Sequence, residues 1–579
     1  MSTLRKDFDT KENLIMLHTK SEKALYHSKL ADQDVHAVSA SSEYAAKLMI
    51  TDKNYELGLK VFNKVIPLQD TDPKSPYFGV FPWYAEEPVA EMNPPDFNMA
   101  DFNAKAMILA IKKEGHAIDD ETMGKLKQAI SNACECIIRR NEGVQYTNIA
   151  IMDALVTVSG GELLGNERFM SYGRNKLRRF LDFTRGHHSV TEYNSPCYTI
   201  VMVNDIGTIL EIVEDEETKK LANEANDIAW EMLASHFDYS NLQLTGPQVR
   251  AYYDYVDVNF IKTLGKACGI DFTKHEKFYT YFSKEDAERI LEDDCSYPKC
   301  PEKYIPYFNG EKRVKSLQRM VMDGYNYPWF EFVQVATNYK TGTFSIGTMN
   351  RSEMWNQRRP FLAYIKGADK DCCFRVKCYH DGFDYSSGAL HTIQDKGRAL
   401  GNLSFSNDRG DTHVGLDLIK NATISAEDLR LSFEFECGEN EISYKKTEHG
   451  IELDINGTKV KINTYLKLFG DKEPEEEVRY KDNRLSYSIV FYHGDRKDIC
   501  FDKLDAAIVG FTVEMGSFDD NAKVEYKEND GMIETKWTLS DCTLELATIK
   551  KPSPFRDNLY FDRQLIDGID IMKKTFNEI

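Results

Sequence analysis

The chain has 579 residues, of which 42% are hydrophobic and 12% aromatic, and 73 basic against 93 acidic side chains give a formal charge of −20. A chain of this composition buries a large core, which excludes a disordered or low-complexity protein. The acidic balance argues against a nucleic-acid partner, so an anionic ligand would need a local basic pocket.

The N-terminus and the cysteines predict where the protein resides. Residues 1–10 carry charges where a signal peptide needs an apolar core, and no apolar run reaches the roughly 18 residues of a membrane-spanning helix. The cysteine spacings, such as Cys134-x-Cys136 and the adjacent Cys372 and Cys373, fit neither a disulfide framework nor a zinc site. We therefore expect a reduced, cytoplasmic protein without a membrane partner.

Up to about residue 320, apolar residues recur at helical spacing. Short turns between the helical segments favour antiparallel hairpins, and we place helix-stop glycines in those turns at Gly160-Gly161 and Gly165. The predicted helices include Thr122–Arg140, Thr147–Leu164, Asn166–Arg185, Ile200–Val213 and Glu216–His236. Residues 1–320 are thus predicted to form an (α/α) toroid of helical hairpins, the catalytic domain.

Beyond about residue 325 the apolar pattern changes to the alternation of a strand. Leu431, Phe433 and Phe435 alternate with polar residues, and Asn456-Gly457 and Asn529-Asp530-Gly531 are typical of β-hairpin turns. Residues 321–579 are therefore predicted to form an antiparallel β-sandwich. The expected fold class is α+β and multidomain, with helices first and strands second.

Two aromatic and polar clusters in the helical part are candidates for a binding site. Trp83 and Tyr84 lie beside carboxylates on a proline-rich loop, which suits stacking on sugar rings, although such aromatics also cap ordinary cores. The segment Gly186–Tyr198 is the densest polar cluster, and from it we select His187, Tyr193 and Asn194 as binding candidates. Its Pro196 suits a first helical turn, so Asn194 and Ser195 have a cap as their alternative role.

Further binding candidates lie later in the chain. The basic and aromatic segment 350–360 contributes Trp355, Asn356, Arg358 and Arg359, because arginine pairs with carboxylates bidentately. Alternatively, both arginines bridge acidic side chains across the domain interface. Four more residues complete the set: Arg250, Tyr252, His380 and Tyr385. Nucleotide-binding loops, the Gly-x-Ser-x-Gly nucleophile motif and the His-Glu-x-x-His zinc motif are absent from the sequence.

Three segments resemble the heparinase II/III-like polysaccharide lyases, a superfamily with a helical toroid followed by a β-sandwich. Tyr146–Ala150 is similar to the family helix that opens with a catalytic asparagine, here Asn148. Glu192–Tyr198 resembles the segment of the catalytic tyrosine, here Tyr198, and Gly410–Asp417 resembles the sandwich segment that contributes a histidine, here His413. The chain departs from the family in having Ile149 where a histidine is usual and one sandwich histidine instead of two.

The resemblance implies a lyase that cleaves an acidic, uronate-containing oligosaccharide by β-elimination. Asn148, with Arg358 or a histidine such as His188 or His413, would neutralise the carboxylate, and Tyr198, its pKa lowered by nearby cations, would move the proton. Glu192 would orient its neighbours. This chemistry needs no cofactor, and the sandwich could hold a structural divalent metal.

Two other functions remain open. An inverting glycoside hydrolase on the same architecture needs two carboxylates about 6.5–9.5 Å apart. Its candidates are Glu86, Glu87, Asp101, Glu192 and Asp205. The third possibility is a carbohydrate-binding protein without catalysis. In every case we expect Asn148, Trp83, residues 187–198 and one of Arg358, Arg359 or His413 to line one cleft between the two domains.

Overall fold

The computed structural model describes residues 4–20, 27–187, 189–322, 333–408, 419–438, 441–560 and 563–573. The backbone forms two compact units. The first contains residues 1–186, 200–230 and 288–300, and the second contains residues 187–199, 231–287 and 301–579. The predicted boundary at residue 320 stays a prediction.

Helices dominate the chain up to Phe308. Two predicted helices have the observed bounds, and the other three differ by one or two residues at their ends, because their apolar spacing is regular. The helices are α1 (Val38–Ile50), α2 (Tyr55–Val65), α3 (Met99–Glu114), α4 (Asp120–Arg140), α5 (Thr147–Leu164), α6 (Glu167–His187), α7 (Tyr198–Ile212), α8 (Glu216–His236), α9 (Val258–Cys268), α10 (Phe278–Tyr281), α11 (Lys284–Leu291), α12 (Ile305–Phe308) and α13 (Phe555–Tyr560).

One predicted turn is wrong. Gly160 and Gly161 lie inside α5, and the helix ends at Gly165, whose φ of 64° suits a left-handed C-cap. A Cβ on Gly160 would lie 2.8 Å from Cys134 Sγ, and one on Gly161 would lie 2.6 Å from Met170 Cγ. The two glycines therefore allow α4 and the start of α6 to pack closely against α5. Closure of the helices into a toroid stays a prediction.

Short strands lie among the helices, and longer strands dominate from Ser316 onward. They are β1 (Phe8–Asp9), β2 (Leu14–His18), β3 (Asp34–Ala37), β4 (Phe237–Asp238), β5 (Gln243–Leu244), β6 (Gln248–Val249), β7 (Ser316–Met322), β8 (Val333–Lys340), β9 (Phe344–Met349), β10 (Arg351–Glu353), β11 (Arg358–Arg359), β12 (Phe361–Ile365), β13 (Cys372–His380), β14 (Phe383–Asp384), β15 (Gly388–Asp395), β16 (Arg398–Phe405), β17 (Thr423–Glu436), β18 (Ile442–Thr447), β19 (Gly450–Ile455), β20 (Thr458–Phe469), β21 (Glu475–Lys481), β22 (Arg484–Cys500), β23 (Ala507–Gly516), β24 (Lys523–Asn529), β25 (Met532–Thr538), β26 (Thr543–Ile549), β27 (Arg563–Ile566) and β28 (Ile569–Asp570).

The second unit is a β-sandwich with an additional sheet. A seven-stranded sheet (β10-β15-β16-β23-β20-β19-β18) and a nine-stranded sheet (β21-β22-β17-β13-β12-β9-β8-β7, with β14 beside β13) share one apolar core. Phe433 and Phe511 meet there with ring centroids 4.9 Å apart. The five-stranded sheet β24–β28 packs Trp537 and Leu544 against Ile393 and Leu400 of the seven-stranded sheet. The fold class predicted from sequence is confirmed, and the third sheet was not predicted.

Both predicted hairpin turns are confirmed. Asn456 and Gly457 have positive φ between β19 and β20, and Asn529 pairs with Met532 at the end of β24 and β25. The prediction that the cysteines form no disulfide is wrong for one pair. Cys372 and Cys437 are bonded, with Cα atoms 4.0 Å apart, because the pairing of β13 with β17 brings them opposite one another. Spacing along the sequence does not reveal that register.

Candidate functional site

The loop before α7 and the segment around β6 are fastened together in the second unit. Ser195 Oγ accepts a hydrogen bond from the backbone N–H of Tyr198 (3.0 Å), which confirms its predicted role as the cap of α7. The same hydroxyl donates to the carbonyl oxygen of Arg250 at 2.8 Å. Val249 N donates to Tyr193 O at 2.9 Å. Tyr198 and Arg250 are thereby held next to each other, although 52 residues separate them.

Five side chains form what we call the tyrosine–arginine cluster: Glu192, Tyr198, Arg250, Tyr252 and Gln357. The Arg250 guanidinium lies 4.2 Å from the centroid of the Tyr198 ring, and its Nη2 donates to the Tyr198 hydroxyl at 2.9 Å. The hydroxyl groups of Tyr198 and Tyr252 are 2.7 Å apart. Gln357 Nε2 donates to the Tyr252 hydroxyl at 3.2 Å. A phenol therefore lies between a cation and a second phenol.

Glu192 fixes the arginine of the cluster. Arg250 Nη1 donates to Glu192 Oε1 at 3.0 Å, and both residues are buried. An ion pair with such low exposure retains its geometry, because neither charge can turn to water without losing its partner. Glu192 therefore holds the Arg250 guanidinium in place. We predicted Arg250 as a substrate contact, and its observed side-chain partner is Tyr198.

Burial raises the pKa of Tyr198 above the ordinary value of a phenol. The positive charge of Arg250 opposes this shift, and negative charge on Tyr252 or Glu192 adds to it. The predicted lowering of this pKa by nearby cations is therefore wrong in its net direction, because desolvation outweighs the one cation beside the phenol. At neutral pH Tyr198 is a neutral phenol that can donate a proton.

Two predicted binding residues support the loop from inside. Tyr193 is completely buried, and its hydroxyl donates to His236 Nε2 at 2.7 Å. Asn194, also buried, has a φ of 50° and donates from Nδ2 to the carbonyl oxygens of Thr245 (2.8 Å) and Pro247 (3.0 Å). Both side chains face protein groups, so their observed contacts position the loop.

The segment around β11 also reaches the cluster. β11 pairs with β6, with Arg358 opposite Val249, and Ala251 N donates to Gln357 O at 2.8 Å. Arg359 Nε donates to Asp254 Oδ1 at 3.0 Å. Sequence analysis missed Asp254 and the amide of Gln357, because only the strand pairing shows what they face.

The other candidates near β11 differ in exposure. Arg358 Nε lies 3.1 Å from Glu353 Oε1 in a buried ion pair, and both residues belong to the second unit, so a bridge across the domain interface stays a prediction. Trp355 is buried, and Asn356 is exposed to solvent. A buried, paired guanidinium is poorly placed to meet a carboxylate from solution, because the ligand would have to displace Glu353.

His380 and Tyr385 belong to the interior of the sandwich. His380 Nε2 lies 3.1 Å from Ser425 O, and its ring contacts Tyr385 edge-on at 5.6 Å between centroids. Tyr385 is completely buried in the core between the two large sheets. Packing in this core accounts for the burial of the Tyr385 ring without a ligand.

In the first unit, Trp83 is part of a polar cluster. Trp83 Nε1 donates to Asp96 Oδ2 at 3.0 Å, and the His27 ring lies 5.1 Å from the Trp83 ring. His27 Nδ1 lies 2.6 Å from Pro94 O. Tyr84 is half-buried beside Trp83, with ring centroids 6.3 Å apart. Sequence analysis missed His27, since a lone histidine gives no signal.

Asn148 lies in the first turn of α5 and is buried at 3% exposure. Five residues later, the same helix carries the buried Asp153, whose Oδ1 accepts from Arg140 Nη2 at 2.7 Å. Asp101 accepts from the same Arg140 nitrogen at 3.2 Å. Asn148 and Trp83 belong to the first unit, so their convergence with the tyrosine–arginine cluster stays a prediction.

The proposed hydrolase carboxylates are occupied by protein groups. Asp205 is completely buried and pairs with Lys105 at 2.5 Å, and Asp101 is equally buried beside Arg140. Glu86 accepts from the backbone N–H of His36 at 3.0 Å, and Glu87 accepts from Lys29 N at 2.8 Å. Glu87, Asp101 and Asp205 are buried, whereas Glu86 is exposed to solvent and also bonds the ring of His36.

The remaining predicted site residues are histidines. His188 and His413 lie outside the described residues. His187 ends α6 and is half-buried. In the described part of the chain, no group of three or more histidine, cysteine, aspartate or glutamate side chains is arranged to hold a metal ion. Within the same residues, no helix is long and apolar enough to cross a bilayer.

A cavity of about 640 Å³ lies in the second unit, away from the predicted site residues. Its walls include Tyr339, Phe344, Arg398, Phe518 and Asp541. Both cationic side chains in its lining are paired with Asp541: Arg398 Nη2 donates to it at 2.9 Å, and Lys396 Nζ lies 3.3 Å from it. The cavity therefore has no unpaired cation for an anionic ligand among its described walls.

Comparison with known proteins gives one sequence family and several structures. Residues 11–267, less than half of the chain, match a family described as a domain of unknown function (DUF8769). No curated protein matches the sequence. The structure is similar to heparinase III, with 10% identity, a TM-score of 0.40, and coverage of 87% of this chain and 81% of that one.

Two further structures are similar over most of the chain. A mutant of heparan sulfate lyase HepC from Pedobacter heparinus has 9% identity and a TM-score of 0.35, covering 88% of this chain and 81% of that one. Chondroitinase AC lyase has 9% identity and a TM-score of 0.32, covering 89% of each chain. At such identities the chemistry of this chain depends on its own side chains.

Proposed function

We propose that the protein is a lyase that cleaves uronate-containing oligosaccharides by β-elimination, with Tyr198 as the group that moves the proton. One observation carries the proposal: the Arg250 guanidinium lies over the Tyr198 ring at 4.2 Å and donates to its hydroxyl at 2.9 Å. The positive charge and the hydrogen bond of Arg250 stabilise the ionised form of this phenol. Resemblance of the 192–198 segment to the catalytic-tyrosine segment of the heparinase II/III-like lyases supports the same residue.

The reaction transfers one proton and breaks one carbon–oxygen bond. The ionised fraction of Tyr198, which is small at neutral pH and grows with pH, takes the C5 proton of the uronate. The C4–O4 bond breaks as the C4–C5 double bond forms, and the phenol then gives the proton to O4. General acid–base transfer of this kind contributes about 10²–10⁴-fold. Asn148 is proposed to neutralise the uronate carboxylate, which makes the C5 proton more acidic. No step requires a cofactor.

Arg250 and Glu192 have separate tasks in this mechanism. Arg250 stabilises the phenolate, because a hydrogen bond from a charged donor is stronger toward an anion than toward a neutral hydroxyl. Glu192 keeps the guanidinium in place through its contact with Nη1 (3.0 Å). A hydrolase would instead need two carboxyl groups open to water, and of its described candidates only Glu86 is exposed, where it bonds the backbone and the ring of His36.

The substrate, its origin and the location of the protein belong to the same proposal. We infer an acidic oligosaccharide taken up into a cytoplasmic compartment, with the helical domain of residues 1–320 carrying Asn148 and the strand-rich remainder carrying sandwich contacts. The chemistry excludes neutral glycans as substrates, because elimination requires a carboxylate to acidify the C5 proton.

Ultraviolet absorbance tests the proposal, because elimination leaves a double bond conjugated to the carboxylate and hydrolysis does not. Uronate-containing oligosaccharides incubated with the protein should gain this absorbance, and Tyr198→Phe should remove it while keeping the ring packing. The matched control is Tyr253→Phe, at a neighbouring tyrosine that is 51% exposed. Cleavage without absorbance, or equal activity of Tyr198→Phe and the wild type, would reject the mechanism.

A further inference from the structure

Tyr252 is the second phenol of the tyrosine–arginine cluster. Its hydroxyl lies 2.7 Å from that of Tyr198, within the usual range for an O–H···O hydrogen bond. Arg250 Nη2 is directed at both hydroxyl oxygens, at 2.9 Å from Tyr198 and 3.4 Å from Tyr252. Gln357 Nε2 donates to Tyr252 from another side at 3.2 Å. Two donor groups, Arg250 Nη2 and Gln357 Nε2, thus contact a pair of phenol oxygens that are hydrogen-bonded to each other.

The two phenols differ in their access to water. Tyr252 is 46% exposed, whereas Tyr198 is half-buried. A proton on Tyr198 has a direct route out, because its neighbour's hydroxyl can accept it while releasing its own proton to solvent. The opposite transfer would restore the neutral pair.

We propose that Tyr198 and Tyr252 share one proton as a dyad, and that Tyr252 is a further catalytic residue that carries the proton of Tyr198 to water. This inference rests on the proposed function for its role in turnover, but the proton sharing itself can be measured without substrate. The products of the step are one hydronium ion and a dyad anion that is held by the remaining bridging proton and Arg250.

The dyad explains how a half-buried phenol becomes a base. Two hydrogen-bonded groups lose their first proton more readily than either alone, because the remaining proton bridges them, and their second proton less readily. Burial raises the pKa of Tyr198 and Arg250 lowers it, so in the dyad the bridging proton acts together with Arg250 against desolvation. During elimination Tyr198 takes the C5 proton and passes it to O4, so the anion is regenerated after each turnover.

The test compares Tyr252→Phe with Tyr253→Phe. Each keeps the aromatic ring of a half-exposed side chain, but only the first removes a hydroxyl from the cluster, since Tyr253 contributes none of its described hydrogen bonds. Tyrosinate absorbance is titrated against pH without substrate, and the spectrum of each variant is subtracted from that of the wild type. The pH dependence of kcat and KM is then measured on uronate-containing oligosaccharides.

For Tyr252→Phe we expect the first ionisation of the pair to move up by about one to two pH units, the worth of one hydrogen bond to a charged group. The kcat at neutral pH should fall about 10–100-fold with little change in KM, while Tyr253→Phe matches the wild type. Equal titrations of the two variants would overturn the dyad. If no variant, nor the wild type, forms an unsaturated product, the proposed function fails, but the titration still decides whether the proton is shared.

Discussion

Arg250 offers the sharpest perturbation of the proposed mechanism. Arg250→Gln removes the charge that lies 2.9 Å from the Tyr198 hydroxyl and keeps a polar side chain of similar reach. A hydrogen bond from a charged donor contributes about 1.5–3 kcal/mol, which corresponds to about one to two units in the pKa of the phenol. Because Arg250 opposes the upward shift in the pKa of Tyr198, its removal should raise that pKa further.

The assay is the pH dependence of kcat/KM, followed through the absorbance of the unsaturated product. The base must be deprotonated and its pKa lies above the ordinary value, so activity should rise with pH across the neutral and mildly alkaline range. The Arg250→Gln line should run parallel and about 10–100-fold lower. Since Arg250→Gln leaves Glu192 buried without this partner, the double variant with Glu192→Gln is measured as well.

A control variant and the pH profile itself test whether Arg250 stabilises the phenolate. Arg496→Gln, which removes an exposed guanidinium from the sandwich, should leave the profile unchanged. A pH profile of Arg250→Gln that coincides with the wild type would refute the claim that Arg250 stabilises the phenolate. The melting temperature of each variant separates such an effect from simple loss of folded protein.

Three more outcomes are expected. Tyr198→Phe should lower kcat by about 10²–10⁴-fold with little change in melting temperature. Glu192→Gln should lower kcat less but should lower the melting temperature, because it breaks a buried ion pair. If Glu192→Gln lowers kcat more than Tyr198→Phe does, the enzyme is a hydrolase. Burial lowers the pKa of His236 to about 3, so the unfolded chain binds the proton first and stability should fall by about 2 kcal/mol between pH 6.5 and 4.5, a loss that denaturant titrations of His236→Gln should not show. Gly347→Ala puts a Cβ 2.4 Å from Gly246 Cα beside the loop that Asn194 holds, which should cost about 1–3 kcal/mol in unfolding free energy, while Gly342→Ala, with open space around it, should be neutral.

The fold was predictable where the periodicity of apolar residues along the sequence decides between helix and strand. The spacing of apolar residues predicted α5 and α8 with their observed bounds. Asn456-Gly457 predicted a hairpin turn, because both positions require positive φ. The glycines inside α5 were misplaced, since a glycine that ends a helix and one that admits a neighbouring helix look alike in sequence. The third sheet and the Cys372–Cys437 bond depend on strand register, which no local pattern contains.

The candidate site was predictable only in part. The loop 187–198 was identified by its density of polar residues, and Tyr198 by resemblance to a family segment. The sequence does not show that Tyr193 and Asn194 point inward, because loop residues lack the periodicity that separates buried from exposed positions. The contact between Tyr198 and Arg250 spans 52 residues and depends on Ser195 holding both segments.

The mass of the products tests the central claim most directly. A uronate-containing oligosaccharide of known mass is digested, and the masses of the two fragments are added. We predict that the sum equals the mass of the substrate, because β-elimination adds nothing and leaves one fragment unsaturated. A sum that exceeds the substrate by one water would contradict the account, because it would mean that the bond is hydrolysed.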